Sequence, residues 1–520
     1  MKKYLGLILS LLVIFGVQAQ KASHVEITIG EQVNLKRKEL FDKIIGIDEN
    51  GMYVMAKYGK TVTLFYYDDD LNLKHKNTFD LVYQKHELWY EGIIQMKDEF
   101  ILLTRYRDKK KKMSYLYSQV LNKKTLTFSK PKELIATSYE GYKKKESASH
   151  GFRVSSDSNY LLLHSVLPSH KQEPIHYRLA VYNTDMEEVW MKDNIKYKFD
   201  DERISISYSL QMGNDAKVYH LRKMIDKSRK YKRGEIDYTF KMFVYSENEE
   251  EPSTFNVEME GDHITDVNFK RLDNVQIQVV GFFSTKGNGQ NGVYNMMFDQ
   301  DYEVINETRK EFPLDFIVQH ASDKAKKKAK KKERKGKEIE LYSFSIDEII
   351  ENEDATITMI AEQYYTYTTS YTDANGNTSY TTHYVYGHIV LVKFDRDGAV
   401  EWMELIPKRQ NTTDGGYYSS YAMMKLENGD LTLVFNDNPK NSYYEETGKF
   451  YSWYPSIKKT DVILYQISLE GQLNRYILYK GMDEEVLSRP SVSTQVSPTE
   501  MIILGQAKKV TKFVKLRFRE

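Results

Sequence analysis

The sequence predicts an all-β fold, a β-propeller most simply built from eight four-stranded blades, on three observations. A strand–turn–strand unit recurs seven times, a tight hairpin precedes each copy, and an incomplete eighth group at the C-terminus finds a lone strand at the N-terminus.

The chain opens Met1-Lys2-Lys3, continues with an apolar run over residues 4–17, and reaches Val17-Gln18-Ala19 before Gln20. A charged start, a short apolar core and small residues at minus three and minus one read as a secretory signal peptide over residues 1–19. The run is too short for a membrane span. Cleavage after Ala19 leaves 501 residues with 73 basic and 74 acidic side chains. That balance argues against a nucleic-acid binder, which carries a basic excess. With no cysteine in the chain, disulfides, thiolate zinc sites and cysteine nucleophiles are excluded. The expected location is exported, in the periplasm or outside the cell, with no transmembrane segment.

Residues 20–520 read as a single propeller domain. Its recurring unit ends in Phe65-Tyr66-Tyr67, Gln119-Val120-Leu121, Ala180-Val181-Tyr182, Phe243-Val244-Tyr245, Met296-Met297-Phe298, Val392-Lys393-Phe394 and Tyr465-Gln466-Ile467. The last residues of these segments are spaced by 54, 61, 63, 53, 96 and 73. Those intervals exceed the roughly 40–50 residues of familiar propeller repeats, so insertions are required. Upstream of each lies a tight turn, as at Asn50-Gly51, Asp157-Ser158-Asn159, Asn352-Glu353 and Asn428-Gly429. Asn-Gly and Asp/Asn-rich pairs accept the positive φ of such turns. Each module therefore reads as four antiparallel strands. The eighth group, from about Ser491, supplies three strands, and Val25-Glu26-Ile27-Thr28-Ile29 supplies the fourth and closes the ring. Seven blades follow if the wide 298–394 interval or the last group is misjudged. Two stacked all-β domains are the alternative fold.

In such a ring the first-to-second and third-to-fourth turns share one face, and here they are short. The second-to-third turns and inter-blade links share the other face and carry the long insertions, including 108–112, 168–177, 224–235, 286–292, 311–339, 410–418 and 438–459. Unequal loops on one side of a rigid scaffold are where binding and catalysis concentrate.

The hairpin around Asn375-Gly376 is the sharpest local feature. With those two residues as the turn, Tyr371 faces Tyr380, Tyr367 faces Tyr384 and Tyr365 faces Tyr386, which places six tyrosines on one side of a projecting ribbon. Nearby loops add Tyr417, Tyr418, Tyr443, Tyr444, Tyr451, Trp453 and Tyr454. Rigid aromatics with a polar tip suit sugar stacking or protein capture. The candidate ligand-binding set is Tyr365, Tyr367, Tyr371, Tyr380, Tyr384, Tyr386, Tyr443, Tyr444, Tyr451, Trp453 and Tyr454; packing on a neighbouring loop accounts for the same ladder.

The lysine-rich insertion at about 311–339 contains KAKKKAKKKERKGK, from Lys324 to Lys337, after Phe312-Pro313-Leu314-Asp315-Phe316-Ile317, a run that can start a short helix. Lysines at this density favour a solvated, mobile segment, or one that touches anionic surfaces.

No catalytic residue is identified. Gly287-Asn288-Gly289-Gln290-Asn291-Gly292 matches G-x-G-x-x-G but precedes a strand, so it reads as a hairpin loop. Asp373-Ala374-Asn375-Gly376-Asn377 opens like a calcium loop but lacks glycine at position six and an acid at position twelve. His383 and His388 face opposite ways on a strand, and His170 and His176 share a long loop without a defined third ligand. No cofactor and no metal site is expected.

The leader, the tyrosine- and lysine-rich strands and the segments Phe394-Asp395-Arg396-Asp397-Gly398 and Phe435-Asn436-Asp437-Asn438-Pro439-Lys440-Asn441 resemble exported β-propeller proteins of Bacteroidota-type bacteria, a resemblance of turn signatures that implies fold and export but no activity. The expected function is an exported, non-catalytic protein that binds a glycan or an envelope protein through its long-loop face. A polysaccharide-degrading hydrolase or lyase is the alternative, and an envelope assembly scaffold a further one.

Overall fold

The computed structural model describes residues 20–33, 40–49, 51–140, 148–168, 176–196, 203–226, 228, 230, 237–272, 276–285, 289–337, 339–508 and 510–519. The leader at 1–19, Asn50, His170 and Asn288 lie outside them. Eight antiparallel sheets follow one another along the chain, and each is a blade. Blade 1 consists of Leu40–Asp48, Gly51–Tyr58, Thr61–Tyr67 and Leu73–Asp80. Blades 2 to 7 span 89–138, 149–196, 203–257, 263–311, 344–412 and 422–480. Blade 8 is built from Leu487–Ser497, Glu500–Ala507 and Val510–Phe518, and Val25–Ile29 pairs antiparallel with the last of these. The recurring apolar segments are the ends of the third strands, as the spacing predicts.

Eight apolar clusters, one between each pair of neighbouring blades, decide the blade count. Between blades 6 and 7, Ile360, Ile389 and Leu391 meet Leu433, Phe435 and Ile463. Between 7 and 8, Val434 and Leu464 meet Met501, Ile503 and Val514. Between 8 and 1, Leu504 and Phe513 meet Phe41, Val54 and Phe65, with the Phe41 and Phe513 rings 5.3 Å apart. Because successive residues of a strand point to opposite faces, Leu433 serves one interface and Val434 the next. Middle strands are thus apolar on both faces, which explains runs such as Leu431–Asp437 (LTLVFND). Each large side chain so buried contributes about 1.5–3 kcal/mol.

The short turns have a common construction. In blades 1, 3, 5, 6 and 7 the third-to-fourth turn is five residues long, and its first amide donates to the fifth carbonyl. An Asp, Asn or Ser at the first position caps the turn: Asp395 Oδ1 accepts from the amides of Asp397 and Ala399, and Asp299 Oδ1 from those of Asp301 and Glu303. The fourth residue has positive φ, as in Gly398 at 74° and Gly471 at 83°. At Gly471 the constraint is doubled, since a Cβ would lie 2.8 Å from the Trp402 ring.

Two features go beyond the sequence reading. Gln20–Lys21 adds a parallel strand beside Tyr476 and Ile477 on blade 7, and Ala22 enters the blade 7–8 core. The lysine-rich segment is helical: α1, Leu314–Ile317, is the short helix that the sequence over 312–317 suggests, and α2, Asp323–Glu333, carries the lysines in a second, solvated helix. Ser322 caps α2 by accepting from the Ala325 amide, Ala329 is buried, and lysine and alanine are both strong helix formers.

A chain starting at Gly30 exposes the edge of Val510–Phe518 and the blade 7–8 core. It is expected to self-associate in size-exclusion chromatography and to melt at a lower temperature than the chain starting at Gln20. A monomer of unchanged stability contradicts the closure.

Candidate functional site in the central channel

The first strand of each blade lines the channel, and several of these strands carry an extra residue. Glu91 in blade 2, Tyr208 in blade 4, Thr265 in blade 5 and Asp347 in blade 6 each have no counterpart on the second strand. Such bulges re-aim side chains and end regular pairing locally. They fall at the third, sixth, third and fourth positions of Trp89–Met96, Arg203–Met212, His263–Arg271 and Phe344–Glu351.

Around blades 5 to 7 the re-aimed groups meet a polar cluster. Tyr421 donates its hydroxyl to Asp347 Oδ2 at 2.8 Å. Glu362, buried, pairs with the fully buried Lys408 at 2.5 Å and accepts from Ser420 Oγ at 2.7 Å. Lys408 also donates to Gln410 Oε1 at 3.2 Å. Asp266 accepts from Tyr208 and from the amides of Ile346, at 2.8 Å, and Val267, at 3.0 Å. Burial opposes the charged form of these groups. It pushes Asp266 up and Lys408 down, the latter opposed by Glu362. Asp347 is open to channel water yet surrounded by protein on its other sides. Burial, reinforced by the negative charge of Glu362, pushes its carboxyl up to about 7. Asp347 therefore exchanges its proton near neutrality, beside a carboxylate held in an ion pair.

A cavity of about 810 Å³ lies against this cluster. First strands of blades 3 to 6 line it, with Ser207, Tyr208, Asn268 and Asp347 toward the bulges and Ser156, Asn214 and Glu351 toward the short turns. Arg153, Lys270 and Arg271 add positive charge, Glu348 and Glu351 negative charge, and His164 an imidazole. Burial and the Arg222 charge hold His164 down at about 4, so it is neutral at pH 7. Among the described residues no group of three or more His, Asp or Glu side chains is placed to hold a metal.

The structure places the tyrosine candidates differently from the sequence reading. The two strands Ile357–Thr372 and Thr378–Phe394 project well beyond the blade, as their length predicts. Their turn is the five-residue loop 373–377, capped by Asp373 Oδ1, and not a two-residue Asn-Gly turn. Register consequently slips by one, and a one-residue slip moves a side chain to the other face. Tyr371 faces Ser379, Ser370 faces Tyr380, Tyr367 faces His383, Thr366 faces Tyr384, and Tyr365 faces Val385. The tyrosines are thus divided: Tyr365, Tyr367 and Tyr371 on one side, Tyr380, Tyr384 and Tyr386 on the other with Tyr364.

Tyr371 and Tyr380, 71% and 73% exposed, stand near the tip. Nearer the blade the rings pack: Tyr367 stacks on His383 at 4.5 Å and accepts from Asn411, and Tyr386 lies 4.9 Å from Tyr364. Trp453 cannot stack on a ligand. It is 0% exposed, donates Nε1 to Thr460 Oγ1 at 2.8 Å, and pairs its backbone with the Gln410 strand. Tyr443, Tyr451 and Tyr454 are exposed, whereas Tyr444 is half-buried against His320 and Phe450. Tyr417 is held by Gln506 and the Arg489 guanidinium. No signal in the sequence marked Asp347 or the Glu362–Lys408 pair, because bulges and inter-strand partners leave no trace in a single chain's periodicity.

No protein-family model matches the chain, and no curated protein matches its sequence. Among solved structures it is similar to the WD40 domain of SCAP from fission yeast, at 8% identity over 95% of this chain and 98% of that one, with a TM-score of 0.36. It is also similar to quinohemoprotein alcohol dehydrogenase from Comamonas testosteroni, at 10% identity over 95% and 77% of the two chains (TM-score 0.39). A Penicillium chrysogenum α-L-arabinanase aligns at 8% identity over 74% and 98% (TM-score 0.30). At such scores the neighbours carry no activity to this chain.

Asp347 titration has a definite sign. Between the unfolded carboxyl value near 4 and the folded value of about 7, the folded state holds a proton that the unfolded state has released, so stability falls as pH rises through that window. Asp347→Asn keeps an acceptor for Tyr421 and removes this cost. Its melting temperature relative to the parent is expected to rise from pH 4 to pH 8; a difference independent of pH contradicts the assignment.

Proposed function

We propose that this chain is an exported binding protein that receives a hydroxyl-rich ligand, of the oligosaccharide type, in the central channel of its propeller. One observation carries the reading: the 810 Å³ cavity is walled by hydroxyls, amides and charges of both signs from four blades. Its volume falls within the roughly 300–1,000 Å³ of small-molecule sites. Sugars need many oriented donors and acceptors, and inner strands fixed on both sides by blade cores hold them at little entropic cost. Tyr371 and Tyr380 lie on the opposite face and serve this reading no part.

A hydrolase is the second reading, and Asp347 is what favours it. A carboxyl that holds its proton near pH 7 suits a general acid, and Glu348, also lining the cavity and raised by burial, is the reachable second carboxylate.

Calorimetry of the chain from Gln20 against a panel of soluble oligosaccharides tests both. Binding that Lys270→Ala weakens by about tenfold, and that the paired Tyr371→Ala, Tyr380→Ala variant leaves intact, is the expected outcome. Release of reducing ends by the parent, lost in Asp347→Asn with binding retained, selects the hydrolase. Binding lost only in the tyrosine variant moves the site to the long-loop face and defeats the channel reading.

A further inference from the structure

The charge of this protein is unevenly distributed in a way that its overall balance hides. Residues 323–337 contain nine lysines and one arginine against Asp323 and Glu333, a net +8, while the whole chain is +1, so the remainder is −7. The structure gathers most of that charge on α2, which is about 16 Å long at 1.5 Å per residue. Lys327, Lys328, Lys331 and Lys332 are exposed, and Lys330 meets Asp315 only at 4.0 Å, both side chains solvated.

The helix is anchored, not adrift. Phe312 stacks on Phe316 of α1 at 5.2 Å, Val318 and Ala329 are buried, and His320 contacts the Leu405 carbonyl at 2.8 Å and the Tyr444 hydroxyl at 3.2 Å. These contacts tie the blade 5–6 link to the blade 7 loop on the long-loop face. That loop presents exposed Tyr443 and Tyr454, and Lys440 lies 5.2 Å from the Tyr451 ring. Like charges at this density repel one another, and a bound polyanion would relieve that repulsion.

We propose that α2 and the adjoining blade 7 loop form a docking surface for an anionic polysaccharide, one carrying carboxylate or sulfate groups along its length. Charge complementarity supplies the attraction, and exposed tyrosines beside it supply faces for sugar rings. A bilayer fits less well, because the only apolar residues of α2 are Ala325 and Ala329, so the helix itself has no large apolar side chain to insert. The surface lies on the opposite face from the channel cavity, so the two readings fail independently.

The test uses the chain from Gln20 with immobilised polygalacturonate, neutral dextran, and vesicles of equimolar phosphatidylcholine and phosphatidylglycerol. Retention on polygalacturonate alone, abolished at high ionic strength, is expected. Replacing Lys327, Lys328, Lys331 and Lys332 together by Gln preserves helix propensity and should weaken retention by about tenfold. Replacing the same four by Arg should preserve it. Circular dichroism and melting temperature verify that both variants fold. No retention, equal retention of the Gln variant, or binding to vesicles but not to polygalacturonate overturns the proposal.

Discussion

Closure of the ring by Val25–Ile29 is the constraint on which the rest depends. This strand pairs with Val510–Phe518, so segments 25–29 and 510–518 complete the same blade. Without that pairing, blade 8 would expose a strand edge and the cores on either side of it would open to water. With it, blade 8 packs on blade 7 through one apolar cluster and on blade 1 through another. A closed ring has no soft end, and the inner strands take up a fixed radius around the channel.

That rigidity is what makes the channel chemistry tolerable. Lys408 with no exposure and Glu362 nearly so are costly to desolvate, and only close mutual pairing plus hydrogen bonds from Ser420 and to Gln410 offset the cost. Glu362, Lys408 and Gln410 belong to blade 6 and Ser420 to its link with blade 7, so the Ser420 hydrogen bond ties that link to the buried pair. The bulges act at the same level. By inserting one residue, blade 6 turns Asp347 toward Tyr421, and blade 4 turns Tyr208 toward Asp266 of blade 5. Inter-blade polar contacts thus occur where the apolar cores give way to the channel.

The propeller was legible in the sequence because its signals are local. Third strands end at a capped turn, and a residue such as Asp299 or Asp395 announces that turn within five positions. Eight blades and the borrowed N-terminal strand followed from counting those turns. The tyrosine ribbon was misread by one residue for a related reason. Asp373 to Asn377 has the same form as Asp395 to Ala399, a polar cap and a glycine at the fourth position, and that likeness was the available clue. Trp453 reads as an exposed loop aromatic until its Thr460 partner is seen. Ser322 and the Ala325–Ala329 spacing were signs of a helix within the lysine run. The Glu362–Lys408 pair and the bulges had no comparable sign, since each depends on which residue lies across a strand.

Hydrogen–deuterium exchange of the chain from Gln20, read peptide by peptide, tests the closed ring most directly. Amides of Val25–Ile29 and Val510–Phe518 should exchange as slowly as those of the middle strands of blades 5 and 6, all opening together with global unfolding. Fast exchange at 25–29 and 510–518 beside slow exchange in blades 2 to 7 would mean that the ring is open, and that the channel is not held by the constraint described above.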